Sequence, residues 1–283
     1  MTTDVLAPAT DLVFAGSLSP EDRDILRNAM RTLEHPSLPA RLGALLGQQI
    51  GLAGRFVPDA VVSAANSAAN VALRTALRAA IKTLPKTAST KTSRWHTALA
   101  AMSGAAGGLF GLAALPVELP VSTTIILRSI AGIARQEGED PHDPGTALAC
   151  LEVFALGGGQ EAGPAGEGGY LAVRAALAKS IQQATRVVLQ RGLADETAPT
   201  LVRFIGQIVS RFSVTVSQKA AAQAVPVIGA AAGAAINAAF AEHYQALARA
   251  HFQVRRLERL YGAEMVREEY RRLISVETAP HAA

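Results

Sequence analysis

Glu118 is the residue whose setting most suggests chemistry. It is the only charged side chain between Trp95 and Leu127. A carboxyl held among apolar neighbours keeps its proton to higher pH and can act as a general acid or base. A plainer role competes. Pro120 suits the first turn of a helix from Val121 to about Ala134, and a carboxylate just ahead of that helix meets free backbone N–H groups. Arg128 lies too far along the same helix for a direct pair unless another element brings the two together. Glu118 and Arg128 are therefore read as buried polar residues with a structural role. Asn237 is a third. It sits among apolar neighbours, where its amide would hydrogen-bond across a helix pair and set register.

The other candidates are weaker. Glu137, Glu139, Asp140, His142 and Asp143 supply hard oxygen ligands and one imidazole. They lack the ordered spacing of a calcium loop, and Pro141 and Pro144 stiffen the segment, so it reads as a solvated acidic loop. His243 and His251 fall two turns apart on one helix, and two ligands do not make a metal centre. There is no HExxH, GxSxG or GxxxxGK pattern. The glycines from Gly157 to Gly169 follow a helix rather than a strand, which argues against dinucleotide binding. No catalytic, cofactor-binding or metal-binding residue is assigned, and no cofactor is expected. Cys150 is the single cysteine, so no intramolecular disulfide forms.

The elements that would position these residues are helices. Only 5% of the 283 residues are aromatic while 49% are hydrophobic, and the apolar mass is mostly Ala, Leu and Val. That composition favours helix packed on helix. Ser19-Pro20-Glu21-Asp22 combines an N-cap, a first-turn proline and acids at the positive helix end, and starts a helix to about Leu33. A second apolar segment covers Leu38 to Phe56. Pro58 opens an Ala-rich helix to about Leu84. Later helices are expected at 147–156, 170–191, from about Pro199 to before Pro226, at 227–261 and at 264–274, with Gly262 ending the longest. The segment 157–169 reads as a loop.

Two uncharged tracts, Trp95–Val117 and Ala220–Ala241, hold glycines four residues apart. Gly104 with Gly108, Gly107 with Gly111, and Gly229 with Gly233 each fall on one helix face, where backbones can approach closely. The expected fold is all-α: a multi-helix bundle with Gly/Ala-rich, close-packed central helices. Ala contributes little to membrane insertion, and Pro226 and Asn237 interrupt the second tract. The tracts therefore read as a buried or reversibly docked hairpin rather than as stable spans.

Charge is uneven. Between Arg55 and Arg94 there are seven basic residues and only Asp59 opposing. Arg74, Arg78, Lys82 and Lys86 recur every four residues as one basic stripe. Such a stripe suits an anionic membrane surface. Aromatic residues are nearly absent there, which argues against nucleic acid, whose bases need stacking partners. The N-terminus has no basic region before an apolar core and does not read as a secretory signal.

Several blocks together resemble the EcsC family of bacterial proteins. They are RWHTALAAMSGAAGGLFGLAALPVELPVSTTIILRSIAGIA at 94–134, ALACLEVFALGG at 147–158, GYLAVRAALAK at 169–179, and VSQKAAAQAVPVIGAAAGAAINAAF at 216–240 followed by FQVRRLERLYG. The expected division is an extension (1–33), with residues 1–18 disordered or loosely attached ahead of one amphipathic helix, then a single EcsC-like helical domain (34–275) and a disordered tail (276–283). The resemblance does not extend to function. It implies no transferable activity and no catalytic residues to carry over. The family is named for a member encoded beside the components of an ABC transporter, which implies a membrane-linked accessory role. The expected function is that of a non-enzymatic protein at the cytoplasmic face of the inner membrane. Its expected partners are anionic lipid and a membrane transporter. Two alternatives stand beside it: a lipid or peptide hydrolase acting through Glu118 and nearby acids, and a soluble homo-oligomeric scaffold.

Overall fold

The computed structural model describes residues 17–35, 38, 42, 59–83, 115–140, 143–158, 169–191, 198–223 and 230–278. Among these residues there are eight helices and no strand: α1 Pro20–Glu34, α2 Asp59–Thr83, α3 Leu115–Gln136, α4 Pro144–Leu156, α5 Gly169–Arg191, α6 Pro199–Gln223, α7 Ala230–Tyr261 and α8 Ala263–Thr278. The fold is all-α, as the composition implies.

Local chemistry sets the helix ends. The Ser19 hydroxyl accepts a hydrogen bond from the Asp22 N–H at 3.1 Å, with Pro20 in the first turn. Asp143 does the same for α4, accepting from the Thr146 N–H at 2.8 Å ahead of Pro144. Each cap satisfies a backbone donor that has no partner inside the helix. Gly262, at φ 89°, turns the chain between α7 and α8 in a conformation that suits glycine.

Three elements depart from the sequence expectation. Helix α3 already runs from Leu115, so Pro120 lies inside it and Glu118 belongs to its first turn. A proline early in a helix forfeits one backbone bond without ending the helix. Leu18, expected in a loosely attached segment, is buried in the core. Helix α8 extends to Thr278, so residues 276–278 are helical where a disordered tail was expected.

Helix α7 organises the bundle. Its 32 residues span about 48 Å at 1.5 Å per residue, and it packs against α1, α3, α4, α6 and α8. Helix α2 lies against α3 and α6. Phe154, Phe212, Phe240 and Tyr244 from α4, α6 and α7 pack in tilted and edge-on contacts with centroids 5.0 to 6.2 Å apart. Such pairs add to the stabilisation from area burial. Helix α1 joins the same core through Leu26, Met30 and Leu33.

Of the glycines chosen from four-residue spacing, Gly104, Gly107, Gly108, Gly111 and Gly229 lie outside the described residues, and Gly233 is buried on α7. Close approach is resolved elsewhere. A Cβ on Gly158, just past α4, would sit 2.3 Å from the Arg211 carbonyl oxygen of α6, and one on Gly157 would sit 2.8 Å from the Tyr244 hydroxyl. Gly206, in the exposed face of α6, has open space around it. The same substitution should therefore have opposite signs at two sites. Gly158→Ala is expected to destabilise by about 1–3 kcal/mol through overpacking. Gly206→Ala is expected to stabilise by about 1 kcal/mol through helix propensity. Urea unfolding of the two variants checks both.

Candidate functional site

Glu118, Lys219 and Asn237 meet at the junction of α3, α6 and α7. The Lys219 ammonium donates to both Glu118 carboxylate oxygens at 2.9 Å. The Asn237 amide donates to Glu118 Oε1 at 2.8 Å. Lys219 also lies over the Phe240 ring, 4.8 Å from its centroid. All three polar residues are buried, Lys219 completely. Burial holds the Lys219 ammonium below the ordinary lysine range, and the Glu118 charge and hydrogen bond offset part of that. The carboxylate is thus taken up by a cation and an amide. That arrangement suits a structural clamp better than an acid–base group open to substrate.

Arg128, read from the sequence as a buried polar residue, is exposed on α3 instead. Lys219 was not singled out from the sequence, yet a signal existed. The apolar spacing Leu201, Ile205, Ile208, Phe212, Val216 extends by helical periodicity to position 219, placing Lys219 on the buried face.

A second polar cluster lies further along α7. His251 is fully buried, and its Nδ1 lies 3.1 Å from the Tyr170 hydroxyl of α5. Its Nε2 lies 3.9 Å from Glu152 of α4. Burial pushes the Glu152 carboxyl up to about 7, against the pull of Arg174 and Arg255. Burial likewise holds His251 neutral, well below its ordinary range, with Arg174 and Arg255 adding to the effect. Arg174 forms a two-point pair with Glu258 at 2.6 and 3.0 Å. Glu34 at the end of α1 accepts from the Gly169 N–H at 2.9 Å and the Tyr270 hydroxyl at 2.9 Å, joining α1, α5 and α8. Burial also pushes the Cys150 thiol up to about 12, so it holds its proton at neutral pH.

The acidic loop is not the solvated segment expected from its composition. Glu139 pairs with Arg255 at 2.9 Å and with Arg259, and Glu137 pairs with Arg256 at 3.2 Å, all on α7. Burial alone would raise Glu139; the Arg255 hydrogen bond and the charges of Arg255 and Arg259 outweigh it and hold the carboxyl below its ordinary range. Asp143 caps α4, and His142 lies outside the described residues. Among the described residues no three His, Cys, Asp or Glu side chains gather as a metal site.

The basic stripe is resolved in part. Arg78 is exposed on α2, and Arg74 is half-buried with its Nε donating to Asn70 at 2.7 Å. The Lys82 side chain and Lys86 lie outside the described residues.

The EcsC protein family profile matches residues 36–257, most of the chain. The chain belongs to the EcsC family. Comparisons with curated proteins and with solved structures return no match. The match takes in the Glu118–Lys219–Asn237 junction and the Tyr170–His251–Glu152 cluster. Helix α1 and helix α8 flank it.

The second cluster makes a pH prediction. The unfolded Glu152 ionises near pH 4.5, while the folded one keeps its proton to about 7. Glu152 therefore lowers stability as pH rises through this window. His251 acts oppositely. Below 6.5 the unfolded imidazole takes a proton that the folded one does not, so its contribution is lost as pH falls. In Glu152→Gln only the His251 effect remains of the two. Its melting temperature, relative to the wild type, is expected to climb between pH 4.5 and 6.5 in thermal scans. A constant offset would contradict the assignment.

Proposed function

We propose that the protein is a non-enzymatic helical protein that docks peripherally on an anionic cytoplasmic membrane surface, as an accessory to a membrane transport system. The observation that supports this reading is the outward face of α2. Ala65, Ala69, Ala72, Leu73 and Ala76 are buried, while Ser63, Ser67, Val71 and Arg78 are exposed and Arg74 is half-buried beside them. Val71 is 53% exposed between polar and cationic neighbours. A helix face mixing apolar and basic side chains suits the boundary between headgroups and acyl chains. Glu118, the strongest candidate for catalysis in the sequence, is held by Lys219 and Asn237, which favours a structural role over the hydrolase alternative.

Helix α3 is the one described helix long and apolar enough to cross a membrane, and more than half of its most apolar part is buried in the bundle. Burial of that kind fits a core helix, and docking on the surface rather than insertion is the form of association proposed.

Co-sedimentation with phosphatidylglycerol or phosphatidylcholine vesicles tests the reading. Binding is expected only to the anionic vesicles and should fall at high salt through screening. Arg74→Gln with Arg78→Gln is expected to weaken it roughly thirtyfold, at about 1 kcal/mol per basic residue near such a surface. Equal binding by the folded double variant would remove α2 from the mechanism.

A further inference from the structure

A groove of about 260 Å³ separates α1 from α8, lined by Arg23, Arg27, Arg31 and Arg272 with Glu269 and Glu277. Leu273 and Val276 also line it. The three α1 arginines are spaced one turn apart, so they fall on one face. The outer two are held by α8: Arg23 pairs with Glu269 at 2.8 Å, and Arg31 pairs with Glu277. Arg27, between them, pairs among the described residues with Asp24 of its own helix. Arg272 faces the groove from α8, with Glu269 at 3.8 Å. Among the described residues, Arg27 and Arg272 thus form ion pairs only with carboxylates of their own helices.

We propose that this groove binds a phosphoryl group on a compact ligand, with Arg27 and Arg272 as the pair that grips it. Guanidinium forks match phosphate oxygens two at a time, and Arg27 and Arg272 would turn to the ligand from Asp24 and Glu269 of their own helices. Glu269 and Glu277 stand beside the outer arginines. They would repel a long polyanion running along the groove, which selects against nucleic acid. A carboxylate offers two oxygens in one plane where a phosphoryl group offers three on a tetrahedral face to two converging forks, so phosphate is the better fit. Both walls lie outside residues 36–257, so the site belongs to the segments flanking the family match. The same chemistry serves a soluble phosphorylated molecule and a phosphomonoester lipid headgroup. The site is independent of the α2 face.

Isothermal titration of the full chain with inorganic phosphate, and with succinate at matched ionic strength, tests the proposal. Saturable phosphate binding is expected, with succinate weaker. Arg27→Gln with Arg272→Gln should weaken phosphate binding roughly tenfold or more. Glu277→Gln, which releases Arg31, should tighten it. Arg74→Gln with Arg78→Gln should leave it unchanged. If the arginine double variant melts below the wild type, Arg27→Lys, which keeps the charge but loses the fork, replaces it and should also weaken binding. Vesicles containing phosphatidic acid separate the two sources. Sedimentation that depends on Arg27 and Arg272 indicates a lipid headgroup, and phosphate binding without it indicates a soluble ligand. No saturable phosphate binding, equal affinity for succinate, or unchanged binding in the folded arginine variants would overturn the proposal.

Discussion

The bundle depends on one buried charge pair. Lys219 and Glu118 are separated by 101 residues and meet inside the core, where Asn237 completes the contact. Taking both charges out of water costs several kcal/mol per ion, and close geometry with supporting hydrogen bonds is needed to offset it. The distances of 2.8 to 2.9 Å meet that requirement. The gain of such a clamp is specificity more than raw stability. Alanine-rich faces such as those of α2 and α7 fix register against their neighbours only weakly, because small side chains interlock little. A carboxylate that must find one ammonium and one amide admits a single register of α3 against α6 and α7.

Along α7 the same logic is repeated with weaker charges. Arg255, Arg256 and Arg259 hold the acidic loop after α3, and Glu258 holds Arg174 of α5. His251 and Glu152 are buried and close, and burial favours the neutral form of each. Glu34 caps the start of α5 while accepting from Tyr270, so one carboxylate at the end of α1 fastens both α5 and α8. The charged surfaces proposed for binding, the α2 face and the α1–α8 groove, therefore rest on a frame fixed from within.

The sequence was legible where the signal is local. Ser19-Pro20 marked the start of α1, Pro58 stood one residue ahead of α2, and Gly262 closed α7. Pro120 misled, because a proline early in a helix looks like a beginning. Lys219 escaped notice because lysine is ordinarily solvated, although periodicity placed it on the buried face. The charged partners of Glu118 and Glu139 lie more than 100 residues away, and pairing over that distance leaves no trace in one chain. Spacing singled out six glycines as contact points. Five of those six lie outside the described residues, and the close approaches among the described residues include Gly158 against the Arg211 backbone and Gly157 against the Tyr244 side chain.

A double-mutant cycle on Glu118 and Lys219 tests the central claim most directly. Unfolding in urea would be compared for the wild type, Glu118→Gln, Lys219→Met and the double variant. Each single change is expected to cost about 3–5 kcal/mol, because the surviving group is left buried without its partner. The double change should cost clearly less than the sum, by more than about 1 kcal/mol. Strict additivity, or single variants as stable as the wild type, would show that the two side chains do not hold the bundle together.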